Sequence, residues 1–326
     1  MRQKPEYPGI AFSPSKTAYN LIPYTMKKFS FRGLFAAFKE AIQKWWARDP
    51  FRESAIIAYY AIFSLPGLLV VVMTIAGYFW GAEAVSGKLH AQVAQAMGND
   101  TANQVQNIVK NASESKDTWW ATLIGIGSII FGATGVFAQF QKSLNTIWEV
   151  KASAKKSGIW SYLKTRVFSF GLVVSIAFLL LISLVISSLI SAFSSWVEVH
   201  WSESLLILFR ILNGVFSLSI IAVLFALMFR FLPDAKIRWS TVWIGAFATA
   251  LLFVIGKTAL GLYFGTASPG SGYGAAGSIV LILLWTSYTS MIVFLGAEFT
   301  KVYSDKRYGK APPTEHAEKD EKECKS

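Results

Sequence analysis

Residues 240–303 read STVWIGAFATALLFVIGKTALGLYFGTASPGSGYGAAGSIVLILLWTSYTSMIVFLGAEFTKVY. From Ser240 to Phe264 the only charge is Lys257. A glycine-rich bend covers Gly265 to Gly277. Gly274 to Ala297 is then uncharged and closes on Gly296-Ala297-Glu298. Two apolar runs of about 20 residues or more, each about 30 Å long as a helix, read as membrane spans. A lysine inside such a span costs roughly 2.5–3.5 kcal/mol on insertion scales. Lys257 therefore becomes a candidate functional residue.

Composition agrees. The 326 residues are 53% hydrophobic and 15% charged, with mean hydropathy +0.43. Soluble domains carry about 25% charged residues. The single cysteine, Cys324, lies in a charged tail, which excludes an intrachain disulfide framework or cysteine metal site. The net charge of +12 fits either nucleic acid or an anionic membrane surface. The positions of the charges decide between them.

Residues 1–30, with Pro5, Pro8, Pro14 and Pro23, predict a disordered cytoplasmic tail without a cleaved signal peptide. Phe31, Leu34, Phe35, Phe38, Ala41, Ile42 and Trp45 recur at helical steps, with Arg32, Lys39, Glu40, Gln43 and Lys44 opposite. This predicts an amphipathic helix lying in the headgroup plane; packing on another part of the protein is the alternative. Asp49-Pro50 suits an N-cap with a first-turn proline.

The whole chain reads as an all-α membrane domain over 31–303. Its six spans fall at about 54–80, 119–148, 167–195, 205–231, 240–264 and 274–301. Pro66-Gly67 predicts a kink in the first. Residues 81–118 predict two short amphipathic helices turning at Gly98-Asn99-Asp100, a small cap in which His90 is solvated. Residues 304–326 predict a disordered cytoplasmic tail.

Ten Lys and Arg residues precede Ser54 and seven lie from Lys301 to Lys325. The loops after the second and fourth spans are also basic. The other side carries only Lys88, Lys110 and Lys116. The positive-inside rule places both termini in the cytoplasm. The charge is then mostly juxtamembrane, and the expected partners are anionic lipids, with no nucleic acid required.

Several stretches carry a family resemblance: Ala58-Tyr59-Tyr60-Ala61 with Ser64-Leu65-Pro66, Gly135-Val136-Phe137 through Leu144-Asn145-Thr146-Ile147-Trp148, Arg230-Phe231-Leu232-Pro233 with Trp239, Gly256-Lys257, and Gly296-Ala297-Glu298. Together, over roughly residues 35–303, they resemble the YihY/BrkB family of bacterial inner-membrane proteins. The resemblance implies a six-span helical protein of the inner membrane, linked in some members to serum resistance and virulence and in others to envelope lipid transport. It supplies no catalytic residue. Many members carry the label ribonuclease BN. The residues argue against that label and against an enzyme: His90, His200 and His316 do not make a clustered zinc site with carboxylates.

Two groups of site residues follow. Gly272-Tyr273-Gly274-Ala275-Ala276-Gly277 matches a dinucleotide fingerprint only in letters, since no strand precedes it. No cofactor or metal is expected. As a helix entry, however, it offers an anion-binding end at Gly274 and Ala275. Lys257, about 10 Å below the outer end of its span, and Arg210 near the outer end of the fourth span share that side. They predict an outer anion or lipid-phosphate site; snorkelling to the headgroups is the competing reading. At the inner end, Gln139, Lys142, Asn145 and Glu298 form a polar cluster, with Glu298 expected to pair with Lys301.

The leading expectation is a transporter or lipid-handling protein for an anionic, lipidic substrate. A non-transporting membrane scaffold is the alternative. Three spans per half would permit inverted halves, and a homo-oligomer is compatible with the composition.

Overall fold

The computed structural model describes residues 31–114, 135–153, 203–267 and 269–320. In chain order these form α1 (Phe31–Ala47), α2 (Pro50–Trp80), α3 (Ala82–Met97), α4 (Asn99–Glu114), α5 (135–147), β1 (Val150–Ala152), α6 (Glu203–Phe231), α7 (Trp239–Ala267), a 3-10 turn (Ser271–Ala276), α8 (Gly277–Tyr308) and β2 (Ala317–Lys319). Among the described residues, Ile211–Phe231, Trp239–Ala267 and Gly277–Tyr308 are long and apolar enough to cross a membrane. The expected third span, the N-terminal tail and most of the second span lie outside the described residues.

Local chemistry accounts for the helix ends. Asp49 stands before α2 in the left-handed region (φ 52°), and its carboxylate accepts from the Arg52 amide at 3.4 Å. Pro50 follows at the first helical position, where its missing N–H costs nothing. The helix runs unbroken through Pro66. Before α8, the Gly270 and Gly277 backbones touch, so a Cβ on either would meet the other's carbonyl. Tyr273 N–H donates to Gly270 O at 3.1 Å. The glycine-rich stretch is thus a tight bend into a helix.

α8 is the hub, with α1, α2 and α7 packed on it and α6 against α7. α7 and α8 meet through a reciprocal notch. Gly245 faces Thr300, and Gly296 faces Thr249. Each threonine hydroxyl donates back to its own helix, Thr249 to Gly245 O at 2.7 Å and Thr300 to Gly296 O at 2.6 Å. Both notch hydroxyls are thereby satisfied, and small residues let the backbones close up where lipid gives no hydrophobic drive. Ile57 of α2, Leu144 of α5, Phe225 and Phe229 of α6, Ala246 of α7 and Phe294 of α8 share one core.

The hairpin α3–α4 forms at the expected place, turning at Gly98 (φ 92°). It does not stand clear as a cap. Leu89, Val93 and Val105 pack with Ile62, Leu65, Leu69 and Ile282, because their apolar faces match a greasy flank of α2. His90, expected to be solvated or capping, links α3 to α4 at the surface, its Nε2 lying 3.0 Å from the Asn103 side chain.

Helix α1 forms over the expected residues and packs on α8, with Ala37 and Ala41 buried against Phe299 and Val302 and with Leu34 and Phe38 alongside. A second apolar set, Phe35, Ile42 and Trp46, stays exposed.

The C-terminal tail is corrected up to residue 320. α8 continues to Tyr308, and the following chain doubles back as a strap. β2 pairs antiparallel with β1, Val150 opposite Lys319 and Ala152 opposite Ala317. Lys236 N–H donates to Pro312 O at 2.8 Å, and Thr314 N–H to Asp234 O at 2.9 Å. The sequence read as disorder because the segment is charged and proline-bearing; its order comes from distant backbone partners.

Candidate functional site

A cavity of about 640 Å³ opens at the end of the bundle expected to be the inner one, which carries the α1–α2 connection and the last turns of α8. Lys44, Arg48 and Arg52 line it along with Asp49, Glu53, Glu149 and Glu298; Trp45, Ile147 and Phe294 supply an apolar wall. Its size is that of a small-molecule pocket, about 300–1,000 Å³.

Each carboxylate has its own surroundings. Glu53, on the first turn of α2, accepts from Ser143 Oγ at 2.7 Å and from Gln139 Nε2 at 2.9 Å. Glu149 follows α5 in the left-handed region (φ 56°). It takes Lys301 at 2.5 Å and Lys310 at 2.8 Å. Burial pushes its carboxyl up, but the hydrogen bonds from the two lysines outweigh that and hold it at about 2. Its backbone oxygen also accepts from Asp320 N–H at 2.9 Å, so one residue joins the cavity wall, α8 and the strap.

Glu298 is different. It is 1% exposed, and Arg48 Nε lies 2.5 Å from its Oε1. Yet neither carboxylate oxygen receives a hydrogen bond from the described residues. Arg48 meets the carboxylate as an ion pair at Oε1.

The expected inner cluster is partly assembled. Glu298 lines the cavity, and Gln139 holds Glu53 at its edge. Asn145 instead grips the loop after α6: its Nδ2 donates to Asp234 Oδ2 and its Oδ1 accepts from Asp234 N–H, both at 2.8 Å. Lys142 is exposed. The expected Glu298–Lys301 pair is corrected, because Lys301 goes to Glu149 and, at 3.6 Å, to Asp305. Partners from other elements are closer than the same-helix neighbour three residues away.

Of the outer group, Lys257 is placed by the packing of α7 on α8. The antiparallel register 245/300 and 249/296 puts Lys257 level with about residue 288. That is near mid-length of α8, some 16 Å from Gly277 at 1.5 Å per residue. α7 also runs on to Ala267, so Lys257 sits deeper than the sequence suggested. Lys257 is exposed. Gly274 and Ala275 lie on the 3-10 turn before α8. The side chains of Arg210 and Ala275 lie outside the described residues.

Sequence reasoning missed Lys44, Trp45, Arg48, Glu53 and Glu149. The available signal was the pair of acids Asp49 and Glu53 set in an otherwise basic entry to a span.

The family model described as "Virulence factor BrkB" matches residues 41–321. The chain belongs to the BrkB family. Among curated proteins this BrkB-family chain is 25% identical over 258 residues to a "UPF0761 membrane protein" of Saccharophagus degradans, covering 79% of this chain and 57% of that protein. It is 26% identical over 252 residues to one of Pseudoalteromonas atlantica, covering 76% and 78%. It is 31% identical over 196 residues to one of Tolumonas auensis, covering 59% of each. The chain thus spans little more than half the length of some relatives it matches. No solved structure matches it.

Family motifs now have physical roles. Asn145 and Asp234 lock the last turn of α5 to the loop after α6. Arg230 stacks 5.6 Å over Trp239 and donates to Ile237 O, which explains an arginine and a tryptophan flanking that loop.

Proposed function

We propose that this BrkB-family chain is a six-span protein of the bacterial inner membrane, with both termini cytoplasmic, that moves or presents an anionic, lipidic substrate. The inner-end cavity is its chamber. The carrying observation is that cavity's construction: about 640 Å³, charged along the α1–α2 connection and apolar at Trp45, Ile147 and Phe294. Amphiphiles need both kinds of wall. Lys257 adds support as a second waypoint, a cation near mid-length of α7 that lipid alone would solvate poorly. Among the described residues no ion-pair partner for it is found.

The scaffold reading draws on α1. Phe35, Ile42 and Trp46 stay exposed and offer a surface for the headgroup layer or for envelope machinery. A reconstituted scrambling and flux assay separates the readings. Protein-dependent movement that falls in Arg48→Ala and Lys257→Ala supports transport; equal rates with and without protein support the scaffold.

A further inference from the structure

We propose that the inner-end cavity takes a zwitterionic amphiphile, a phosphate-like anion and an ammonium carried together on an apolar tail. The inference rests on the transport reading and revises its substrate from a simple anionic lipid to one whose phosphate travels with an ammonium. A simple anion would meet Lys44, Arg48 and Arg52, but it would also meet four carboxylates on the same walls. A simple organic cation would face the reverse problem.

The carboxylates are unequal in what they lack. Glu53 is satisfied by Ser143 and Gln139, and Glu149 by Lys301 and Lys310. Glu298 lines the same cavity, is 1% exposed, and has two oxygens without a hydrogen-bond donor among the described residues. A buried charge left without hydrogen bonds is costly. An ammonium brings three N–H donors and no acceptor, which is what that carboxylate is missing. A phosphate would go to the rim, where Arg52 is 68% and Lys44 41% exposed; a guanidinium fork matches its oxygens. Trp45, Ile147 and Phe294 then face the tail.

The test uses the full chain in phosphatidylglycerol vesicles with acyl-labelled phosphatidylethanolamine or phosphatidylglycerol as the reporter, read by dithionite bleaching. Labelled phosphatidylethanolamine should move about tenfold faster, the ratio that one added hydrogen bond to a buried carboxylate supports. Glu298→Gln should bring the ratio near one by slowing phosphatidylethanolamine alone, and Glu298→Asp should keep the preference. Equal or faster phosphatidylglycerol movement overturns the inference, as does a parallel loss of both lipids in the two variants.

Thermal stabilisation of the detergent-solubilised chain by each lipid separates this from the transport reading. Selective stabilisation by phosphatidylethanolamine without movement removes transport and leaves the site standing. Neither movement nor selectivity removes both. Soluble glycerophosphoethanolamine giving the full stabilisation would overturn the amphiphile part, because the headgroup alone would then suffice.

Discussion

Gly245 on α7 leaves the notch that Thr300 of α8 fills, and Gly296 does the same for Thr249. A Cβ at either glycine would overlap the facing threonine. Gly245→Ala and Gly296→Ala should therefore each destabilise the bundle, by roughly 1–3 kcal/mol as typical overpacking does. Thr300→Ser, which keeps the hydroxyl that donates to Gly296 O, should cost less. Thermal melting in detergent checks both.

Asn145 and Asp234 exchange two hydrogen bonds across 89 residues of chain. Asn145→Ala and Asp234→Ala should be strongly non-additive, with a coupling energy of roughly 0.5–3 kcal/mol. A double-mutant cycle on unfolding measures it. Additive losses would mean that the two loops are held by other contacts.

Glu149 gives a pH signature. Its folded carboxyl is held at about 2, below the ordinary glutamate value of 4.5. A group lowered on folding binds its proton more readily when unfolded, so it stabilises above the unfolded value. The contribution should be complete above about pH 4.5 and fade as pH falls toward about 2. Glu149→Gln leaves Lys301, which is 2% exposed, with the more distant Asp305 at 3.6 Å, and should cost roughly 1–3 kcal/mol at neutral pH. The gap in melting temperature between wild type and variant should close through that window. A gap independent of pH would place the stabilisation elsewhere.

The strap makes a separate prediction. Truncation after Tyr308 removes β2 and the Lys310–Glu149 pair while leaving the α7–α8 notch intact. Amide exchange should accelerate at 150–152 and at 234–237, with α7 and α8 unchanged. Exchange rising throughout the bundle would make the strap part of the core.

Cys324 is the only cysteine and follows the strap directly. With both termini cytoplasmic, a membrane-impermeant maleimide should label it in lysed cells and spare it in intact spheroplasts. Labelling in intact spheroplasts would invert the proposed topology.

How much of this was legible follows from the range of each signal. Three spans, at Ile211–Phe231, Trp239–Ala267 and Gly277–Tyr308, were legible because an apolar run long enough to cross a bilayer is a property of consecutive residues. So were the N-cap at Asp49, the bend at 265–277 and the hairpin at 82–114, each set within a few positions. That polar residues gather late in a span was legible by composition, but not which of them meet: Asn145 goes to Asp234 and Lys142 stays exposed.

Pairing was another matter. The sequence determined that this is an α-helical chain built for lipid, which of its segments are helices, and that Lys257 and Glu298 are costly charges in apolar surroundings. Only the tertiary structure decided that Glu298 meets Arg48 across 250 residues, that Lys301 turns to Glu149, and that a charged, proline-bearing tail becomes a strap. Burial in lipid is imposed residue by residue along the chain. Charge pairing and strand pairing depend on which distant atoms the packed helices bring within a few ångströms.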